Sequence, residues 1–326
     1  MSASPLETVA ERLAALLTGA ATSLTDARPG SLIEFTGDLA VRSLDRGAAP
    51  IDVWAVDGGQ ALVADARCLQ VIITRSARVR FAGGMCVSEE EGDLHAVLLG
   101  GTDERVAALQ SLALDGVDAD TSVDVNLVRD RWEWDAVARS VEDCEPGGMV
   151  LVDGDLQPDW RIPSSFLRDV LERARERGVI VAGVTKHSSL ARGGAPLLGW
   201  LEREASTLLP PRAMWWTAIG RTRGDVGGVQ VVAAQLDPDA RFSFRVDLPD
   251  WVEPAHALGS MSALCDDAAF PGYPYPLSVV DGLAACPGWL RSDIRNQLDE
   301  LLARAGVPDD VRDRAFTDRH ALMERA

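Results

Sequence analysis

MVLVDGDLQPDWRIPSSFLRDVLERARERGVIVAGVTK, residues 149–186, is the stretch whose reading decides the fold. The apolar run Met149–Val152 reads as a buried strand that turns at Asp153 and Gly154. Ser164 or Ser165 offers a cap to a helix through FLRDVLERARER, and Gly178 is a frequent helix terminator. VIVAGVTK reads as a second buried strand, ending at Lys186. Strand, crossover helix, strand is the pattern of a parallel pair.

Upstream, IDVWAVDGG, QALVADARCLQVIITRS and ARVRF (residues 51–81) are β-rich runs with turn residues between them. They predict an antiparallel meander whose first strand ends at Asp57. Ser88 to Asp93 reads as a solvated acidic loop, and Ala20 to Gly30 as another loop. Leu127, Trp134, Val137, Ala138 and Val141 repeat at helical spacing between Asp124 and Asp143. Further strands are expected at Met214–Ile219, Val229–Leu236 and Phe242–Val246. Ser4, Pro5 and Glu7 form a capping box for a helix from Pro5 to about Leu17. From Pro254 to the end the chain reads as helical, broken at Pro271–Pro276 and at Pro287. The terminal SDIRNQLDELLARAG places Ile294, Leu298, Leu301 and Leu302 on one face, expected to pack on the core, with a subunit or motor contact as the alternative. The expected fold class is α/β: one domain with a mixed sheet, an antiparallel meander plus parallel strands, and helical additions at residues 1–45 and 288–326.

The chain has 326 residues, 47% apolar and 25% charged, enough for a sizeable core and outside the disordered and fibrous classes. No apolar run approaches the roughly 20 residues of a membrane span, and no secretory leader is evident, so a cytoplasmic location is expected. Five scattered cysteines without a C-x-x-C pair indicate neither disulfides nor a zinc site. A net charge of -18 argues against coating nucleic acid by bulk attraction, although a local basic groove remains compatible with it. Lys186 is the single lysine.

Four acidic residues stand where this architecture brings them together: Asp57 and Asp153 at strand ends, Glu133 on the intervening helix and Asp281 on a C-terminal helix. Carboxylates so close raise one another's pKa unless cations neutralise them, and hard divalent ions are the usual solution. Metal-dependent phosphoryl chemistry is the functional expectation. A single strand ending in Asp-Gly is equally a turn signal; two apolar strands each ending in Val-Asp-Gly carry more weight. Glu133 alone reads equally as a solvated helix residue, although Trp132 and Trp134 beside it argue for a packed environment. Lys186 can aim a cation at a phosphate from its strand end, or be an ordinary charge after a buried strand. His187 alternates to the other face. Tyr273 and Tyr275 are either a stacking platform for an unpaired base or loop packing. Arg129 and Arg131 are candidates for the DNA backbone or ordinary helix arginines. Trp215 and Trp216 read as core.

VWAVDGG, RDRWEWD, VLVDGDL, VAGVTKHS and GYPYPLSVVD occur in the order and approximate spacing of the NurA nuclease family, over about Asp52 to Ala285. The chain resembles that family, and GYPYPL with Asp281 downstream is the most specific piece. The resemblance implies a ribonuclease H-like core and a manganese- or magnesium-dependent deoxyribonuclease, with two ions per site. It implies 5′-to-3′ exonuclease and single-strand endonuclease activity in DNA end resection and repair. A homodimer that works with a hexameric HerA-like ATPase is implied as well. Asp57, Glu133 and Asp153 match the family's metal ligands and Tyr273 its active-site tyrosine. Asp281 stands where members carry histidine or an acid, and suits metal ligation. DGG and DGD replace the DGS of many relatives. The competing readings are an actin-like ATPase or sugar kinase, which would need two related lobes and an adenosine motif, and a non-catalytic adaptor of a DNA-translocating ATPase.

Overall fold

The structure, a computed structural model, describes residues 4–28, 30–113, 120–222, 228–317 and 323. Helix α1 (Pro5–Thr18) leads into three short strands, β1 (Leu24–Asp26), β2 (Ile33–Phe35) and β3 (Arg42–Ser43). The meander follows as β4 (Asp52–Asp65), β5 (Gln70–Ala82), β6 (Met85–Glu91) and β7 (His95–Leu99), then α2 (Thr102–Ser111) and α3 (Val125–Asp143). β8 (Met149–Asp153), α4 (Ser164–Arg177) and β9 (Ile180–Thr185) form the predicted crossover unit. β10 (Leu190–Arg192), β11 (Ala195–Pro196) and α5 (Leu197–Leu208) precede three antiparallel strands, β12 (Trp215–Thr222), β13 (Val229–Gln235) and β14 (Phe244–Pro249). Helices α6 (Pro254–Ser262), α7 (Tyr275–Ala284), α8 (Gly288–Arg304) and α9 (Asp309–Phe316) follow, and the predicted helix beyond residue 317 lies outside the described residues except at 323. None of these helices is long and apolar enough to cross a membrane.

The main sheet runs β2-β12-β13-β14-β9-β8-β4-β5-β6. β4, β8 and β9 are parallel, and β5 is antiparallel to β4, with β6 beyond it. This is the ribonuclease H-like mixed sheet, extended on the β9 side by the antiparallel β14, β13 and β12. The parallel strands are apolar on both faces because both are covered. Val53, Ala55, Met149 and Leu151 pack under α6 and α7, against Leu258, Met261, Leu277 and Val280. Trp54, Val56, Val150 and Val152 pack under α3 and α4, against Trp134, Val137, Leu167 and Leu171. Each such Val, Leu or Met side chain contributes about 1.5–3 kcal/mol on burial, which fixes the strand ends between two rigid helical layers. Trp215 and Trp216 are core residues, as expected.

Five expectations change. First, β4 does not end at Asp57: it continues through Gly58 and Gly59 to Asp65, because β5 keeps pairing with it, Gly58 opposite Ser76 and Gly59 opposite Arg75. The two glycines serve close approaches instead of a turn. A Cβ on Gly58 would lie 2.6 Å from Glu133 Oε2, and one on Gly59 would lie 1.9 Å from the Ala284 carbonyl oxygen. Second, much of the acidic stretch from Ser88 is strand β6, whose Glu90 and Glu91 are drawn to Arg78 and Arg75 of β5 at 2.7 and 2.6 Å. Third, the N-terminal extension is not helical throughout: β1 pairs with β10, while β2 and β3 pair with β12. Fourth, α8 buries no residue, and Leu301 is 58% exposed. Ile294, Leu298 and Leu302 are half-buried, so the stripe lies against β4 without joining the buried core. Fifth, helix α4 is capped by neither serine; Pro163 precedes it, and Gly178 ends it in the left-handed conformation, φ 68°.

Candidate metal centre

Strand alternation sets the site. Val53 and Ala55 face α7, so Asp57 does too; Met149 and Leu151 do the same for Asp153. The parallel register, Val53 opposite Met149 through Val56 opposite Val152, brings the two aspartates side by side where β4 and β8 part. Helix α7 covers that face and lowers Asp281 onto them. One oxygen from each of Asp57, Asp153 and Asp281 lies within 4.8 Å of the others.

These charges are unequally compensated. Lys186, just beyond β9, places Nζ 2.6 Å from Asp153 Oδ2 and 2.8 Å from Asp281 Oδ1. Burial works against its charge, but the two carboxylates outweigh that and raise its pKa. Asp57 has no ion pair among the described residues; the Gly58 N–H donates to it at 2.7 Å. Burial, reinforced by the neighbouring Asp153 charge, pushes its pKa up to about 7. Burial also raises Asp153, against the pull of Lys186. Asp281 has a 56% exposed side chain, so the site opens to solvent on that side. Three converging hard oxygens, one of them desolvated and without a cationic partner among the described residues, fit a hard divalent cation such as manganese or magnesium.

Glu133 is not within this triad. It approaches from the α3 side of the sheet, through the space left by Gly58, and is buried. Burial above all, then the charges of Asp130 and Asp57, raise its pKa well above the usual range. Arg129 is its ion-pair partner at 3.8 Å and also binds Asp130 at 2.8 Å. The Glu133 side of the site therefore carries its own cation. Arg129 stays at the site's rim, whereas Arg131 turns away: its Nε donates to the Leu112 carbonyl at 3.0 Å, and its guanidinium lies against Phe166. Arg131 is committed to the α2 flank, which leaves it turned away from the path of a DNA backbone, contrary to the expectation.

Tyr273 differs from the expectation in part. Its ring is only 2% exposed, packed against Phe244 and Phe270, so it offers no stacking platform to a base. The hydroxyl instead reaches the neighbourhood of Asp153 without regular hydrogen-bond geometry, and burial beside that charge raises its pKa. The Lys186 ammonium lies 5.2 Å from the ring centroid. Tyr275 is the exposed tyrosine, edge-on to Phe81.

The support behind Asp153 has little local signal in the sequence. Arg245, 1% exposed, holds Asp247 through two hydrogen bonds of 2.8 Å and reaches Asp155 at 3.5 Å and Asp26 at 3.9 Å. Asp247 also accepts the Leu156 N–H at 3.2 Å, and Arg28 binds Asp155 and the Gln157 carbonyl. The loop after β8 is thereby tied to β14 and to the N-terminal segment. Asp155, two residues past Asp153, was the only local signal; its partners are distant in sequence.

No protein-family model matches the sequence, and no curated protein matches it. Among solved structures, the NurA nuclease from Sulfolobus solfataricus superposes with a TM-score of 0.50 at 14% identity, covering 83% of this chain and 88% of that one. The chain has the NurA nuclease fold. A second NurA structure matches at 8% identity over 73% of this chain and 86% of that one, TM-score 0.45. The catalytic domain of human endonuclease V matches at 17% identity over 82% and 92%, TM-score 0.40.

Proposed function

We propose that the chain is a divalent-metal-dependent deoxyribonuclease, acting on DNA ends or single strands in end resection. The observation that carries this is the convergence of Asp57, Asp153 and Asp281 at the ends of the central parallel pairing in a NurA fold. This cluster would hold manganese or magnesium, which supplies Lewis acidity for phosphodiester hydrolysis. Glu133, kept at the edge of the site by Gly58 and Arg129, adds a fourth carboxylate beside Asp57. Lys186 orients Asp153 and Asp281 and presents positive charge toward the open side, where a phosphate would enter. Arg129 meets the backbone of the bound strand at the rim. Tyr273 closes the floor beside Asp153 and excludes water from beneath it.

A homodimer and a hexameric HerA-like ATPase are the proposed partners. Leu6, Val9, Leu13 and Leu17 of α1 are at least half exposed, and helix α1 buries no residue, which supports a protein contact there. The net charge of -18 supports weak DNA binding by the isolated chain and the need for a partner that delivers DNA.

The deciding experiment is cleavage of end-labelled single-stranded DNA with manganese by wild type and Asp57→Asn, each with and without the candidate motor. Metal-dependent cleavage lost in the variant supports the proposal. Equal inactivity of both proteins in every condition, with the motor still bound, would replace it with the adaptor.

A further inference from the structure

Lys186 is the one lysine in a chain whose Lys and Arg total 32. An arginine would present a wide planar fork; lysine presents a compact point charge with three donors, the side chain that most closely imitates an ion. Its ammonium lies between two members of the carboxylate triad, at 2.6 and 2.8 Å. The stem is anchored where β9 ends, beside Asp153, which is registered opposite Val184. The Tyr273 ring, 5.2 Å away, adds a cation–π contact that holds the head in place.

We propose that this centre takes one divalent ion, held by Asp57 and Asp153, and that the Lys186 ammonium, bridging Asp153 and Asp281, serves as the second cation in place of a second metal. The inference rests on the metal-dependent nuclease proposed above. Charge balance supports it: on the α7 face three carboxylates meet one ammonium and one divalent ion, while Glu133 on the α3 face has Arg129 as its own cation. A second divalent ion between Asp153 and Asp281 would have to displace two charge-assisted hydrogen bonds and leave the lysine unpaired beside two metals. Asp281 on this account is the partner of Lys186 and not a metal ligand. Two of the three ammonium donors are taken by carboxylates, and the third is left for a phosphate oxygen at the open side.

The test is calorimetric titration of the intact chain with manganese, joined to electron paramagnetic resonance, both with and without a phosphorothioate single strand that resists cleavage. One uncoupled manganese ion per chain is expected in either condition. Lys186→Met, one atom shorter and without charge, is expected to bind two ions with the spectrum of a coupled pair. Asp281→Asn is expected to keep one ion with affinity changed less than about threefold, and Asp57→Asn to bind none; circular dichroism checks the fold of each. Two coupled ions in wild type, a single ion in folded Lys186→Met, or loss of the ion in folded Asp281→Asn would each overturn the inference. The first of these leaves the nuclease intact, whereas no manganese bound by wild type at millimolar concentration overturns both.

Discussion

Two acidic clusters lie back to back around the turn that follows β8, Asp153 of one and Asp155 of the other on either side of Gly154. Asp57, Asp153 and Asp281 share one ammonium and open to solvent. Asp26, Asp155 and Asp247 share two guanidinium groups, Arg245 and Arg28, and are closed in by β1, β14 and the loop. Both use three aspartates. The inner cluster is compensated by bidentate, hydrogen-bonded pairing, which suits a structural brace. The outer cluster leaves one carboxylate desolvated and without a cationic partner among the described residues, which suits an ion that arrives from outside. Charge compensation and access, not residue type, separate a brace from a site.

Removing the inner cation is the most severe way to break this contrast. Arg245→Met leaves Asp247 buried without its partner and is expected to cost about 3–5 kcal/mol of stability, read by urea denaturation. Asp57→Asn, in the outer cluster, is expected to leave metal-free stability equal or higher at pH 8 while lowering cleavage by about 10³-fold or more, roughly 4 kcal/mol of barrier. Similar stability losses for the two variants would erase the distinction between brace and site.

A pH series sharpens it further. Asp57 titrates near 7 when folded against 3.8 for an ordinary aspartate. Between those values the folded protein keeps a proton that the unfolded chain has released, so stability falls as pH rises through this window and the penalty is complete above about 7. At about 1.4 kcal/mol per unit the contribution is at most about 4 kcal/mol. Metal-free wild type is therefore expected to melt higher at pH 5.5 than at pH 8 relative to Asp57→Asn, and manganese, which needs the ionised carboxylate, to stabilise more as pH rises. A pH dependence identical in wild type and Asp57→Asn would show that the carboxylate is not held in its protonated form.

Much of this was legible in the sequence, and the exceptions have physical causes. VLVDGDL and VIVAGVTK fixed the parallel pair because doubly covered strands must be apolar on both faces. Asp57, Asp153, Asp281 and Lys186 were legible because each follows a strong apolar pattern that fixes its place and face. The length of β4 was hidden because Asp-Gly-Gly is a turn signal by local chemistry; here close approach by α3 and by the end of α7 demands the glycines, and β5 supplies the pairing that overrides the turn. The acidic residues of β6 read as loop for the same reason, their arginine partners lying on another strand. Arg245, Asp247, Arg28 and Asp26 carried no signal, since ion pairs between segments far apart in sequence leave no spacing to read. The opposite fates of Arg129 and Arg131 follow from two residues of helix, a rotation of about 200°.

That rotation gives the smallest effect and the finest test. Arg129 and Arg131 have the same side chain on the same helix, yet only Arg129 stands at the rim of the outer cluster, 33% exposed, while Arg131 is 12% exposed and donates to a carbonyl. Each phosphate contact to a single strand contributes about 0.7 to the slope of log affinity against log salt. Arg129→Gln is therefore expected to lower that slope by about 0.7 in fluorescence anisotropy titrations of a labelled oligonucleotide, and to weaken binding to every sequence alike. Arg131→Gln is expected to leave the slope unchanged and to lower stability by about 1 kcal/mol through its lost hydrogen bond. Equal slopes for both variants would remove Arg129 from the DNA path and confine its role to neutralising Glu133 and Asp130. In that case the outer cluster would hold its own internal cation on the α3 side, and the contrast with the inner cluster would rest on Asp57 alone.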